Sequence, residues 1–330
     1  MMLPNTYMTA LALGCLVLGA AASQAATREY FIAAEDVAWD YAPSGKDLTH
    51  HAPLPSEVDG HTKWHKTRFI EYTNSEFHTR NAQPAWLGIL GPIIRAEVGD
   101  TVIVHFRNKG SRPYSMHPHG LRYSKDDEGA DYHPAGRGAR VKPGESYSYS
   151  WIADERSGPG PRDSSSTVWW YHSHVDEPED INAGLLGPIV VTAKGKALKD
   201  GSPKDVQREF VTLFMIFMEG ERSQPEKQDP VEMMSINGYL FGNLVGLDIH
   251  QGETVRWYVL GMGDERDLHT AHWHGETVEW NGRRTDVIEL LPASMVTVNM
   301  TAENLGTWLY HCHVAEHLKR GMYTTFTIHK

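Results

Sequence analysis

Four copies of the triplet His-x-His are the residues of this chain best suited to chemistry. The 330-residue sequence contains 19 histidines, from which chance predicts about one such pair. Imidazole is a favoured ligand of copper, and a thiolate among imidazoles narrows the choice of metal further, so the pattern predicts a copper protein. The triplets are His117-Pro118-His119, His172-Ser173-His174, His272-Trp273-His274 and His311-Cys312-His313.

The spacing within each triplet indicates how many metal ions the histidines serve. In a strand, side chains at positions i and i+2 share a face and lie about 6.6 Å apart, from a rise of about 3.3 Å per residue. Two imidazoles at this spacing can bind neighbouring ions, but they are too far apart to coordinate a single ion without distortion. Eight imidazoles in four triplets therefore favour three copper ions over one.

The last triplet predicts a second kind of copper site, on the opposite face of its strand. Cys312 points away from the two histidines that flank it, and His317 and Met322 follow it by five and ten residues. His269 lies three residues before the third triplet. Two imidazoles, a thiolate and a weak axial thioether form the ligand set of a blue electron-transfer copper.

Cys312 is also bonded through the backbone to both of its neighbours, His311 and His313, which belong to the other metal site. Electrons that enter at the sulfur therefore have a through-bond path to the remaining metals. We predict that these three residues form the catalytic relay of the protein, with electron entry on one face of the strand and electron delivery on the other.

The elements that must position these residues are predicted to be strands. Short runs rich in Val, Ile, Thr, Tyr and Trp alternate with Gly, Pro, Asn and Asp turns, as in Thr101–Phe106 and Thr254–Val259, and long periodic helical segments are absent. The chain also repeats itself, with one HxHG and one YHxHV sequence in each half. We therefore expect an all-β fold of two β-sandwiches in tandem, at residues 27–195 and 207–330, joined by a linker at 196–206.

The repeat indicates that the blue site belongs to the second half alone. The first-half positions that correspond to its four ligands hold Tyr114, Ser173, Pro178 and Ala183. None of these side chains is a ligand suited to a blue copper, whereas all the triplet histidines are kept. The sequence therefore predicts a single site of electron entry per chain.

Composition and the N-terminal segment indicate where the protein works and with what. A formal net charge of −11 argues against nucleic acids and anionic membranes as partners, because both select for Lys and Arg patches. Residues 8–22 form an apolar run too short for a comfortable membrane anchor, and Ser23-Gln24-Ala25 resembles a signal-peptidase site. We expect residues 1–26 to be the signal peptide of an exported protein, periplasmic or secreted.

Several longer segments of this chain resemble the multicopper oxidases, most closely the ceruloplasmin–hephaestin branch reduced to two domains. The resemblance implies two cupredoxin-like Greek-key sandwiches and covers nearly the whole chain after residue 26. With the blue site in the second domain only, the chain is similar to one class of two-domain laccases. The matching segments are Trp39–Leu48, Leu90–Val102, Asn237–Leu247, Gly261–Gly275 and His311–Met322.

The resemblance implies a complete set of copper ligands for about four ions per chain, and a reaction in which four one-electron oxidations of a small donor reduce O₂ to water. Since each half supplies half of the three-copper cluster, it also implies a homotrimer with clusters between subunits. The implied ligands are His269, Cys312, His317 and Met322 for the type 1 copper, His117 and His272 for type 2, and His119, His172, His313, His174, His274 and His311 for the type 3 pair.

The electron donor is less well defined by the sequence. By the same resemblance, Glu316 together with Asp229 or Glu232 could hold iron(II). Met233 and Met234 stand where a histidine is expected, and they suit copper(I) or fill the core. The acidic run at residues 176–180 could relay protons, attract cations or form a solvated loop. Phenols, aromatic amines and reduced metal ions all remain possible donors.

Two other functions remain open at this point. A copper nitrite reductase is also a trimer of two-domain chains, but it places its blue site in the first domain and needs only three histidines at its catalytic copper. A cupredoxin protein that binds copper without oxidase activity could have lost cluster ligands, and none is missing here. The copper content and the uptake of oxygen separate these alternatives from an oxidase.

Overall fold

The computed structural model describes residues 25–220 and 231–330. The described residues are mostly in strands, with two short α-helices, so the prediction of an all-β fold is confirmed. All but the last two residues of the predicted signal peptide lie outside this range, as does Asp229. Within the described ranges, no helix has the length and apolar character needed to cross a membrane.

The described part of the first half contains eleven strands and one α-helix. Two sheets face each other, in the orders β4-β1-β6-β9-β8 and β5-β11-β10-β7, while β2 and β3 form a separate ribbon. The elements are β1 (Thr27–Asp40), β2 (Lys46–Asp47), β3 (Ala52–Pro53), β4 (Lys63–Tyr72), β5 (Ile94–Glu97), β6 (Thr101–Asn108), β7 (His117–Pro118), β8 (Arg122–Tyr123), β9 (Ser146–Ile152), β10 (Ser166–His172), α1 (Glu177–Ala183) and β11 (Leu186–Thr192).

The second half is built in the same way. Its sheets have the orders β13-β12-β15-β20-β17-β18 and β14-β22-β21-β16-β19. The elements are β12 (Arg208–Glu219), β13 (Val231–Ile236), β14 (Asp248–His250), β15 (Thr254–Gly261), β16 (His269–Trp273), β17 (Val278–Trp280), β18 (Arg283–Thr285), β19 (Val287–Leu290), β20 (Met295–Thr301), β21 (Gly306–Cys312), α2 (Ala315–Lys319) and β22 (Tyr323–His329).

The strand orders of the two halves correspond, except that each sheet of the second half has one further strand at its edge, β18 or β19. In each half the first long strand pairs in parallel with a later one, β1 with β6 and β12 with β15. In each half the strand that ends in the second triplet also pairs antiparallel with the strand that carries the first, β10 with β7 and β21 with β16. The two halves therefore present equivalent edges, although the domain boundaries inferred from the sequence remain a prediction.

Strand periodicity explains how the sheets bury their apolar face. In β6, Val102, Val104 and Phe106 are fully buried, and the residues between them are partly exposed. β-Branched and aromatic side chains suit such a half-buried pleated surface. The core of the first half forms where these residues meet Ile189 and Val191 of β11.

The two halves are packed against one another through a shared apolar core. Trp39 and Trp170 from the first half cluster with Val211 and Tyr258 from the second. The indole Nε1 of Trp39 also donates a hydrogen bond to the carbonyl oxygen of Gly238, 2.7 Å away. Buried apolar contacts of this kind hold the halves in one arrangement, which fixes where their histidine-bearing edges face.

A glycine after each first triplet allows the chain to turn beneath a tryptophan. Gly120 and Gly275 both have φ of +73°, a conformation that favours glycine. A Cβ atom at Gly120 would lie 2.2 Å from the ring of Trp169, and one at Gly275 would lie 2.5 Å from the ring of Trp308. The HxHG sequence therefore needs its glycine for packing as well as for backbone conformation.

Gly120→Ala should destabilise the protein by about 2–4 kcal/mol, because it adds a clash with the indole to the cost of a left-handed backbone. Gly144→Ala is the matched control, since Gly144 has φ of +80° but no atom within 4 Å of the added carbon. It should cost about 1–2 kcal/mol from the backbone alone. Urea unfolding of both variants measures the difference, and equal losses would contradict the role given to Trp169.

Candidate metal centres

One centre, the thiolate site, is built from His269, Cys312 and His317. The two Nδ1 atoms of the histidines lie 3.1 Å apart. The sulfur of Cys312 is 3.8 Å from Nδ1 of His269 and 3.6 Å from Nδ1 of His317. All three residues are buried, and Met322 beside them is completely buried. A sulfur and two imidazole nitrogens thus converge in a space shielded from water.

Strand pairing and a short helix bring these ligands together. Ala271 of β16 lies opposite Cys312 of β21, so His269 is two residues from that pair on the same face. His317 is carried by α2, a helix that the sequence analysis did not predict. The backbone N–H of Met322 donates to the carbonyl oxygen of His317 at 3.0 Å, which ties Met322 to the end of that helix.

Asp267 orients the first histidine of the thiolate site, and the sequence analysis missed it. Its carboxylate is 1% exposed and accepts hydrogen bonds from the backbone N–H groups of Ile216 and Asp264, at 2.7 and 2.9 Å. Oδ1 also lies 3.1 Å from Nε2 of His269. Nε2–H donation to this carboxylate leaves Nδ1 with its lone pair toward the sulfur. The sequence did contain one signal of this role, because Asp267 is an acidic residue two positions before the predicted ligand His269.

The N-terminal histidine cluster contains His117, His119, His172 and His174. The Nε2 atoms of His119 and His172 are 3.0 Å apart, and the ring centres of His117 and His174 are 5.3 Å apart. Nδ1 of His172 donates to the carbonyl oxygen of the next residue, at 3.0 Å, so Nε2 carries the free lone pair. Burial lowers the pKa of His119 to about 4 and that of His172 to about 3, which keeps both rings neutral at neutral pH.

The C-terminal histidine cluster contains His272, His274, His311 and His313. Nε2 of His311 lies 3.0 Å from Nδ1 of His272 and 3.0 Å from Nε2 of His274. The ring of His313 is centred 5.2 Å from that of His272. As in the other cluster, the outer nitrogen of the central histidine, Nδ1 of His311, donates to the next carbonyl oxygen, at 2.8 Å. Each cluster is therefore a set of lone pairs aimed at a common space.

The two clusters are separate within one chain. Among the described residues, ring contacts join histidines within each cluster, and none joins a histidine of one cluster to a histidine of the other. The groups of three ligand atoms within 4.8 Å of one another also each belong to one half. The predicted ligands are thus assembled as one thiolate site and two separate clusters of four imidazoles.

Part of the acidic run after the second triplet is structured around the N-terminal histidine cluster. The helix α1 begins within this run, at Glu177. The carboxylate of Glu177 lies 3.2 Å from Nε2 of His174 and 3.7 Å from Nε2 of His172. Asp180 is fully buried and accepts a hydrogen bond from the hydroxyl of Ser173 at 2.7 Å, and burial raises its pKa. These two acids are therefore not part of a solvated loop.

The residues considered for donor binding are placed very differently from one another. Met233 and Met234 are buried in the apolar cores. Glu232 is partly buried between Arg266 and Arg320, whereas Glu316 is exposed on α2. Glu232 and Glu316 therefore remain as candidates near His317, whereas the two methionines are enclosed in the cores.

A cleft of about 860 Å³ runs between the two halves. Glu177, beside the N-terminal histidine cluster, lies at its wall, as do Met218 and Asp264, close to the loop that precedes His269. Solvent in the cleft therefore reaches the surroundings of both kinds of centre.

Comparison with known proteins gives consistent results. Residues 63–196 and residues 218–330 each match a family model described as multicopper oxidase. The chain is 37% identical to human (Homo sapiens) ferroxidase HEPHL1 over 341 residues, which is 92% of this chain and 29% of that protein. It is 36% identical to human ceruloplasmin over 338 residues, 91% of this chain and 31% of that protein. The chain therefore spans about a third of the length of these relatives.

Solved structures share the fold. A blue copper oxidase from Nitrosomonas europaea superposes with a TM-score of 0.65 at 21% identity, over 92% of this chain and 86% of that one. A structure described as a multicopper oxidase superposes with a TM-score of 0.64 at 20% identity, over 92% of this chain and 89% of that one. At this level of identity the likeness supports the tandem cupredoxin-like sandwiches.

Asp267→Ala should weaken metal binding at the thiolate site by about 10–100-fold, because His269 loses the group that holds its orientation and tautomer. Asp248→Ala is the matched control. Asp248 also pairs with a histidine, His329, at 2.7 Å, but neither residue belongs to any of the three centres. Titration with Co(II), followed by thiolate-to-metal absorption, measures the affinity. Equal affinities for the two variants would show that Asp267 has no such role.

Proposed function

The chain belongs to the multicopper oxidase family, and from that premise we propose that it oxidises a small donor and reduces O₂ to water. Each donor molecule loses one electron, and four such electrons, with four protons, convert one O₂ into two waters. The observation that carries the proposal is the convergence of Cys312 with His269 and His317, whose ligand atoms lie within 3.8 Å of one another. Cys312 itself lies between two cluster histidines along the chain.

The residues present fit copper. A thiolate with two imidazoles and a buried methionine is a blue-copper donor set, and neutral imidazoles with free lone pairs suit the remaining ions. Cys312, His269, His317 and Met322 would hold one ion, and the eight imidazoles of the two histidine clusters would hold three more. When bound, copper supplies the one-electron redox couple at the thiolate site and the reducing centre for oxygen at the clusters.

The chain itself connects these sites. One peptide bond joins Cys312 to His311, and another joins it to His313. In addition, Nδ1–H of His311 donates to the carbonyl oxygen of Cys312 at 2.8 Å, which provides a hydrogen-bonded route beside the covalent one. β21 therefore links the buried sulfur to the C-terminal histidine cluster over a few bonds, and the apolar surroundings of Cys312 keep water away from the path.

A homotrimer would complete the oxygen site. Each chain offers two separate half-clusters, so a full cage needs the N-terminal histidine cluster of one subunit to meet the C-terminal histidine cluster of another. Contacts of this head-to-tail kind close into a ring. The chain covers 29% of one relative and 31% of another, so about three copies correspond to the length of either.

Export from the cytoplasm, proposed from the apolar N-terminal run, suits an enzyme of this kind.

Iron(II) is a second candidate donor, because one relative carries the name ferroxidase. The exposed carboxylate of Glu316, one residue before His317, is the side chain of the described chain that best supports it. Copper(I) finds less support here, since Met233 and Met234 are buried.

Cys312→Ser should abolish both the blue absorption and donor-dependent oxygen uptake, because a hydroxyl does not replace a soft thiolate ligand. Copper at the histidine clusters should remain, measured by metal analysis and electron paramagnetic resonance. Ser173→Ala, at the equivalent position of the first half, should keep the blue absorption. Persistent turnover in Cys312→Ser would refute the proposed electron route, and wild-type enzyme without oxygen uptake would refute the oxidase.

His119→Ala and His274→Ala should each abolish oxygen reduction alone, and their co-expression should restore part of it. His119→Ala breaks the N-terminal histidine cluster and His274→Ala breaks the C-terminal one. In a mixed trimer, one interface joins the intact N-terminal cluster of a His274→Ala subunit to the intact C-terminal cluster of a His119→Ala subunit. Light scattering of the wild type should give the mass of three chains. A fully active monomer, or no recovery in mixed assemblies that contain both variants, would contradict the intersubunit cluster.

A further inference from the structure

Two arginines bind one carboxylate beside the thiolate site, and we call Arg266, Glu232 and Arg320 the arginine clamp. Nη1 of Arg266 donates to Oε1 of Glu232 at 2.6 Å, and Nη1 of Arg320 donates to Oε2. Nη2 of Arg320 also donates to the backbone carbonyl oxygen of Glu232 at 3.3 Å. Both carboxylate oxygens of Glu232 are thus engaged by guanidinium groups.

The clamp is anchored on the same segments that carry the ligands. Arg266 lies three residues before His269, and Arg320 lies three residues after His317. His317 is the more exposed of the two histidines, at 6% against 2% for His269. The backbone N–H of Arg320 donates to the carbonyl oxygen of Glu316 at 3.1 Å, which fixes Arg320 at the end of the helix that carries His317. An electron donor that approaches His317 therefore meets the clamp.

The clamp makes this approach unfavourable for a bare metal cation. To bind Glu232, the cation would have to displace at least one guanidinium and remain close to two positive charges. Asp264 is also engaged, by Nη2 of Arg266 at 3.1 Å, and Asp267 is buried. Among the described residues near His317, Glu316 is left as a carboxylate with no ion pair or hydrogen bond, and one exposed carboxylate is a poor site for iron(II).

The same surface suits an aromatic molecule. Leu268 is 51% exposed next to His269, and Leu291 is 62% exposed next to Leu290, which pairs with His269. Exposed leucines give an aromatic ring apolar contact, and the planar guanidinium groups of Arg266 and Arg320 can stack on its face. These side chains therefore form an apolar and guanidinium-lined approach to the thiolate site.

We infer that Arg266 and Arg320 determine donor specificity, disfavouring metal cations at the thiolate site and favouring aromatic organic donors. This inference rests on the proposed oxidase function. It assigns the two arginines a role in the choice of donor and none in the delivery of electrons to oxygen.

The test compares iron(II) with 2,6-dimethoxyphenol as donors to the copper-loaded protein, with kcat/KM obtained from oxygen uptake and corrected for uncatalysed iron oxidation. Arg266→Gln/Arg320→Gln should raise the ratio of kcat/KM for iron(II) to that for the phenol by about tenfold or more. The ratio is informative because a changed copper potential acts on both donors. Adding Glu232→Gln should remove most of the gain, since Glu232 is the carboxylate that both substitutions release, whereas Asp264 is released by Arg266→Gln alone.

Arg284→Gln is the matched control, because Arg284 forms an exposed ion pair with Glu279 at 3.0 Å and is not part of the clamp. Its ratio should equal that of the wild type. An intact blue absorption in every variant shows that the thiolate site has folded. An unchanged ratio in the double variant would overturn the inference while leaving the oxidase intact, whereas a wild type that oxidises neither donor would overturn the proposed function itself.

Discussion

The antiparallel pairing of two histidine-bearing strands is the constraint on which the candidate metal centres depend. In the first half His117 lies opposite His172, and in the second half His272 lies opposite His311. Because side chains alternate along a strand, this register places four imidazoles on one face of each sheet. A shift of one residue in this pairing would turn the histidines into the core and Cys312 to the face that now carries the histidines.

Burial and hydrogen bonding then prepare the ligands. Desolvation lowers the pKa of His172, His311 and His317, so the rings are neutral and hold a lone pair for a metal ion. Backbone carbonyl oxygens accept from the outer nitrogens of His172 and His311, and the inner nitrogens face the cluster. These side chains are thereby arranged before any metal binds, which would reduce the entropic cost of ordering them as ligands.

The two halves use one architecture for different purposes. In the second half the residue after the cluster histidine His311 is Cys312, and α2 brings His317 close to its sulfur. In the first half the same position is Ser173, which donates to the buried carboxylate of Asp180 on α1. The first half therefore keeps its cluster histidines and fills the place of the blue site with a hydrogen-bonded pair.

The sequence by itself was enough to predict the all-β fold, the resemblance to multicopper oxidases and the positions of the histidine triplets. These features follow from local rules, since strand alternation and repeat spacing are properties of neighbouring residues. The identification of the four blue-copper residues likewise needed only their types and offsets, and their metal-binding role remains a proposal.

Only the tertiary structure decided what surrounds those ligands. The backbone N–H of Ile216 on β12 holds Asp267 in place beside His269, and two arginines from other segments hold Glu232 of β13. The burial of Met233 and Met234 depends likewise on how the sheets pack. Such contacts are set by the folding of distant segments against each other, and no pattern along the chain records their distances.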